Sequence, residues 1–249
     1  DVPICKGMSR PLVREQVVAH YFHGKSGLGE VSLPKTPVLS QKNALEFMTE
    51  TLASATSKII ILATGPLTNV AAFLLLRPDL KGKIESIVFM GGGLAFGNIT
   101  PTAEFNIYAD PEAAAIVLSS EVPLVMIPLD LTHQAMLTPA EYDKLPSSGA
   151  VSSMVRQCLS YVIERERSLY GWNGTMLHDP CAAAYVIDSK VMRCEEYRAW
   201  IELRGEHTYG QTVVDIWRSS GEKPNVKIGR TLNKEALLDL LFSLINLYE

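Results

Sequence analysis

His178 and Asp179 stand directly before Pro180, which places the pair at a helix entrance rather than on an apolar face. The carboxylate has two readings there. As a helix cap it accepts a backbone N–H; in a cleft it binds a hard cation such as Ca²⁺ through oxygen while the adjacent imidazole moves a proton. A structural zinc site is disfavoured, because no further His/Cys cluster stands at ligand spacing. A second candidate is the run from Met90 to Asn106, where Gly91-Gly92-Gly93 is followed by Gly97-Asn98 and then Glu104-Phe105-Asn106. Asn98, Glu104 and Asn106 together donate and accept hydrogen bonds in the pattern a polyol such as a ribose demands; the same residues also suit a plain turn with capping side chains. His23 opens H-G-K-S-G-L-G, which reads either as a mobile loop closing over a substrate or as a surface loop. Neither glycine run matches a phosphate-loop or dinucleotide fingerprint. His133 and His207 stand in no constellation and read as structural or surface residues. No serine sits in a G-x-S-x-G elbow, and no cysteine in a nucleophile motif.

These residues need elements to position them. Residues 58–63 form a short apolar run bounded by turn residues, the mark of a strand buried on both faces. Residues 64–69 supply a turn, and 70–76 continue as an apolar helix that stops before Pro78. Residues 84–90 are a second strand. Asp110-Pro111-Glu112 starts a helix over 113–119, with an acceptor at the cap, proline at the first helical position and an acid in the first turn. Residues 122–129 read as a third strand, Thr138-Pro139-Ala140-Glu141 as a capping box, 151–169 as a longer helix, and Asp179-Pro180 as the start of another through Ala184 and Tyr185. The alternation predicts an α/β fold with a mainly parallel central sheet and flanking helices. Residues 197–203, 211–217 and 226–231 read as strands that add a mixed or antiparallel part near the C-terminus, before a helix over 234–247 capped by Asn233. With no repeat, linker or low-complexity tract, a single domain over 1–249 is expected. In such a sheet, ligands bind outside the carboxyl ends of the strands, so loops 64–69, 90–106 and 177–180 should meet.

Composition narrows the function classes. The 249 residues are 47% hydrophobic and carry a net charge of only -4, enough apolar material for a full core and no basic run to grip a phosphate backbone. Nucleic acid is therefore not an expected partner. The apolar stretches at 58–63 and 70–76 end far short of the roughly 18 residues of a membrane span. Cys5, Cys158, Cys181 and Cys194 lack C-x-x-C spacing and read as reduced thiols of a cytoplasmic protein.

Taken together, HGKSGLG (residues 23–29), ILATGPLTNVA (61–71), MGGG with GN-x-TP-x-AEFNIYADPEAA (90–114) and HDPCA (178–182) resemble the nucleoside hydrolases in content, order and spacing. The resemblance is to the inosine-uridine preferring group of ribonucleoside hydrolases and extends through TVVDI (212–216). It implies a Ca²⁺-dependent enzyme that cleaves the N-glycosidic bond of a ribonucleoside with water, giving free base and ribose. By the resemblance, Asp179 ligates the calcium through its carboxylate and Thr64 through its backbone carbonyl. Asn98, Glu104 and Asn106 match ribose-hydroxyl contacts, with Met90 and Phe105 beside the sugar. His178 matches a histidine near the leaving base, where it helps protonation, and His23 a base-pocket residue on a mobile loop. Base preference falls to that loop and to residues 164–177, with Tyr170 and Trp172. A homodimer or homotetramer is implied as well.

The chemistry agrees with the resemblance. Breaking the C1′–N bond builds an oxocarbenium-like sugar and charge on the base, so hydroxyl positioning, an activated water and a proton for the base are required. A calcium on the 2′- and 3′-hydroxyls would orient the sugar and acidify a water. The pattern departs from the family in one respect. An N-terminal strand-helix-strand part, with the aspartate-rich D-x-D-x-G-x-D-D motif that supplies most calcium ligands and the general base, has no counterpart in these residues. A protein made only of them is expected to bind calcium poorly, turn over slowly and expose an unpaired strand edge that lowers solubility. The alternative to an active hydrolase is an inactive relative that binds a nucleoside, ribose or a protein.

Overall fold

The computed structural model describes residues 2–24, 26–29, 31 and 38–248; Asp1 and Lys25 lie outside the described residues. In chain order the elements are α1 (His20–His23), α2 (Ala44–Ser54), β1 (Ile59–Ala63), α3 (Thr68–Leu76), β2 (Ile84–Met90), α4 (Phe105–Ala109), α5 (Pro111–Leu118), β3 (Leu124–Ile127), α6 (Leu129–Thr132), β4 (Met136–Leu137), α7 (Pro139–Tyr142), α8 (Ala150–Tyr170), β5 (Thr175–Met176), α9 (His178–Ile187), β6 (Met192–Tyr197), β7 (Ala199–Ile201), β8 (Thr212–Val214), β9 (Val226–Leu232) and α10 (Lys234–Asn246).

The central sheet has the order β1-β2-β3-β9-β6. Its first three joins are parallel, and β6 pairs antiparallel with β9. The fold is thus α/β with a mainly parallel sheet, flanking helices and antiparallel strands near the C-terminus. Side chains alternate between two cores, as strand geometry requires. Ile87, Phe89, Leu124 and Met126 face the side covered by α3 and α5, while Val88, Met90, Val125 and Ile127 face α9 and α10. α3 is apolar on nearly every side and is buried at Val70, Ala71, Phe73 and Leu74.

Some element bounds differ from the sequence reading. β3 has only 4 residues instead of eight, because prolines bracket it: Pro123 precedes it and Pro128 follows Ile127. The segment read as one strand from 197 to 203 is broken at Arg198. Its second part, β7, leaves the main sheet and pairs with β8 in a separate two-stranded sheet. The edge strand β6 escaped the reading since Arg193, Glu195 and Glu196 interrupt its apolar content, a composition that suits an edge. β1 forms the other edge, with Leu62 exposed. All four cysteines are free thiols. No described helix is long and apolar enough to cross a membrane.

Asp110 ties the N-terminal segment to this frame. Fully buried, it accepts from the Thr68 hydroxyl at 2.6 Å, the Leu12 amide at 3.0 Å and, as cap of α5, the Ala113 amide at 3.1 Å. Asp110→Ala strands three donors at once, and urea unfolding should show a loss of about 2–3 kcal/mol. A loss below about 1 kcal/mol would contradict this account of the anchor.

Candidate active site

Parallel strands β1, β2 and β3 end on the same side, so the residues that follow them gather at one edge. Thr64 leaves β1, Met90 closes β2, and Pro128 with α6 leaves β3. The short antiparallel pair of β4 with β5, and a bond from the Leu177 amide to the Ala135 carbonyl at 3.1 Å, draw the start of α9 onto α6. His178 is thereby set against Thr132, with Nδ1 2.7 Å from the Thr132 hydroxyl. The Thr132 hydroxyl also lies 3.3 Å from the Leu129 carbonyl.

α9 begins at His178 and is preceded by Leu177, which has no side-chain cap. Asp179 therefore lies inside the first turn, and the capping role considered from sequence is not its role. The residue lies at the edge of the site. Crowding by low-polarity neighbours pushes its pKa up to about 6, with no counter-charge among the described residues to oppose the shift.

The loop from 91 to 104 is held by two carboxylates. Glu104, 2% exposed, caps α4 and accepts from the Asn106 amide through Oε1 (2.8 Å) and from the Gly92 and Ile107 amides through Oε2 (2.9 and 3.1 Å). Burial outweighs these three donors and raises its pKa to about 7. Asp130 accepts from the Leu94 and Ala95 amides at 2.7 and 3.1 Å. Gly92, at φ +80°, makes a turn that L side chains rarely adopt, and a Cβ on Gly97 would lie 2.3 Å from the Thr100 and Ala103 carbonyl oxygens. On this loop, Asn98 accepts from the Phe105 amide at 2.8 Å and Asn106 donates to the Met90 carbonyl at 3.1 Å.

Beside the loop lies a cavity of about 320 Å³, lined by Ala19, Tyr21, Phe22, His23, Phe96, Gly97, Asn98, Phe105, His133, Glu166, Tyr170, Trp172 and His178. Its wall is a relay of rings. His133 meets Phe96 edge-on at 4.8 Å and Trp172 at 5.5 Å, and Tyr170 packs on Trp172 at 4.9 Å. A larger groove at the amino ends of the strands is lined by Glu85, Glu121, Glu196, Arg198, Lys223 and Lys227 among others, without a histidine.

The structure brings His23, Asn98, Phe105 and His178 into one cavity, with Met90, Glu104 and Asn106 bracing the loop beneath. Thr64 and Asp179 stand at the strand edge, outside the cavity lining. His133, read from sequence as structural or surface, lines the cavity instead. Its signal was available, since it follows β3 at the carboxyl edge where ligands bind. Glu166 was missed as well. It continues the helical stripe Ser152, Val155, Leu159, Ile163, Glu166, Tyr170, spaced by three or four residues, but the E-R-E-R run around it reads as a solvated face.

Burial lowers the pKa of His133 and His23 and drives that of His178 down to about 4, with the charges of His133 and His23 adding to the effect. The unfolded chain binds this proton at the ordinary 6.5, so the contribution of neutral His178 is complete above that pH and shrinks as pH falls toward about 4. NMR of the metal-free protein should show His178 titrating near 4; a midpoint at 6.5 would contradict its burial in the cavity wall.

The features together define an α/β protein with a small-molecule site at the carboxyl edge of a parallel sheet. Residues 1–239 match the family described as inosine-uridine preferring nucleoside hydrolase. The pyrimidine-specific ribonucleoside hydrolase RihA of Salmonella arizonae is 38% identical over 100% of this chain and 81% of its own length; that of Salmonella typhimurium is 39% identical with the same coverage. Among solved structures, the purine-preferring ribonucleoside hydrolase from Gardnerella vaginalis superposes with a TM-score of 0.88 at 27% identity, covering 98% of this chain and 79% of that one. The plant nucleoside hydrolase PpNRh1 gives 0.89 at 25% identity, with 98% and 80% covered. The chain belongs to the inosine-uridine preferring nucleoside hydrolase family.

Proposed function

We propose that this member hydrolyses the N-glycosidic bond of pyrimidine ribonucleosides, with the ribose on loop 90–106 and the base in the aromatic cavity. The observation that carries the reading is that Asn98 and Phe105 belong to both the polyol-suited loop and the cavity lining, so one ligand spans the two. The pyrimidine preference is supported by the names of the relatives at 38% and 39% identity, against a purine-preferring structure at 27%.

The roles follow from atoms left free. Asn106 spends its amide N–H on Met90 and offers its side-chain oxygen to a hydroxyl. Oε1 of Glu104 accepts a single amide and offers a second lone pair. Thr132 holds Nδ1 of His178 at 2.7 Å, and the proton of the neutral ring is assigned to Nε2, the atom that hydrogen-bonds the departing base. The ring-lined wall keeps water from the base as its charge develops.

Ca²⁺, proposed from the family resemblance, would take the Asp179 carboxylate and the Thr64 carbonyl. Hard oxygen donors suit it, but two fall short of the about six to eight it needs. Among the described residues, no group of three or more His, Cys, Asp or Glu stands together to complete a site.

Ribose release from uridine tests the reading. His178→Ala should lower kcat by roughly 100-fold or more with little change in KM, since it removes the hydrogen-bond donor to the departing base and leaves the sugar contacts. An unchanged kcat would contradict the role of His178, and no ribose release from any ribonucleoside by the metal-loaded protein would contradict the function.

A further inference from the structure

α4 carries Phe105, from the cavity wall, and Asn106, from the loop beneath it, on a helix of only 5 residues. So short a helix is not stable on its own and takes its direction from whatever holds its two ends. Glu104 holds the first end through the Asn106 and Ile107 amides. One fixed point leaves a helix free to pivot. The second end is held by Arg14, 94 residues away in the N-terminal segment, whose Nη1 donates to the Tyr108 carbonyl. Its guanidinium carbon lies 4.0 Å from the centre of the Tyr108 ring and 5.4 Å from that of Tyr209. The two rings meet edge-on at 6.4 Å, so the cation fills the corner between α4 and the turn before β8. That corner is braced from behind. Tyr209 donates to Glu112 at 2.5 Å, and a Cβ on Gly210 would lie 3.2 Å from the Tyr108 Cα.

An arginine kept for surface charge would turn its head to solvent. Arg14 is half-buried and forms no ion pair among the described residues. Its head is spent on one carbonyl and two aromatic faces instead. A cation at the last carbonyls of a helix is favourable, and a planar guanidinium donates in its plane while stacking on a ring.

We propose that Arg14 is a positioning residue for the sugar site: it fixes the orientation of α4 and, through it, the directions in which Phe105 and Asn106 meet the ligand. The inference rests on the nucleoside reading for the identity of that ligand and adds what aligns its contacts.

The test compares the full chain with three variants. Arg14→Met keeps the stem without donor or cation, Arg14→Lys keeps a cation without the planar fork, and Arg10→Met removes an exposed arginine from the same segment. One readout is hydrolysis of uridine, with Kd from quenching of tryptophan fluorescence wherever turnover is too slow. The other is hydrogen exchange of the Asn106 and Ile107 amides, the pair on α4 that Glu104 accepts. Arg14→Met should raise KM or Kd by roughly tenfold and leave kcat within about threefold, since His178 is not on α4. The two amides should exchange several-fold faster while those of β3 keep their native rates. Arg14→Lys should fall between Arg14→Met and the native protein, and it carries the test if Arg14→Met does not fold. Arg10→Met should match the native protein. Unchanged affinity and exchange in the Arg14 variants, an equal rise in exchange across β3, or the same effect from Arg10→Met would overturn the inference. If the native protein neither binds nor hydrolyses a ribonucleoside, yet the two amides exchange faster only in the Arg14 variants, the hydrolase reading fails and the positioning role stands.

Discussion

The carboxylate of Glu104 is the constraint on which the rest of the site depends. It joins the end of β2 to the start of α4 by accepting amides from Gly92, Asn106 and Ile107, closing a loop that would otherwise have many conformations. Burying a charge in this way is destabilising unless hydrogen bonds compensate, and here compensation is incomplete, since the group still sits near a pKa of 7. Its consequence is orientation. Asn98, Phe105 and Asn106 hold their directions because the backbone under them is pinned, with Asp130 fixing the opposite limb of the loop.

The cavity wall depends on a different kind of clamp. Residues far apart in sequence, from α1, the 91–104 loop, the turn after α6, the end of α8 and the start of α9, converge because β4 and β5 pair and draw α9 against α6. That pairing sets the Thr132 to His178 contact and leaves one imidazole nitrogen for the ligand. A two-residue strand pair thus orients a polar group in an otherwise largely apolar wall, which suits a ligand with a flat ring and few polar edges.

Much of this was legible in the sequence where local chemistry decides structure. Apolar runs bounded by turn residues marked β1 and β2, and Asp110-Pro111 and Thr138-Pro139 marked helix starts, since each segment satisfies its own backbone groups. Asn98, Glu104 and Asn106 stood out because amides and a carboxylate crowd a glycine loop. What stayed hidden was set by distant partners. β6 exists because β9 offers it an edge, and its charged residues conceal it. His133 acquires a ring-lined setting from Phe96 and Trp172, neither of them adjacent in sequence. Glu166 is buried although Glu164 and Arg167 of the E-R-E-R run are exposed. Of the two readings of Asp179, the helix cap falls away because the helix starts at His178, two residues before Pro180.

The central claim is that one ligand spans loop and cavity, sugar on the first and base in the second. A crystal structure of the full chain with uridine, or with a non-hydrolysable ribonucleoside analogue, tests it most directly. The account predicts the ring between Phe105 and the His133 to Trp172 wall, Nε2 of His178 within hydrogen-bond distance of the base, and the ribose hydroxyls on Asn98 and Asn106. A ligand lodged in the groove at the amino ends of the strands, or a base pointing to solvent with the cavity unfilled, would contradict it.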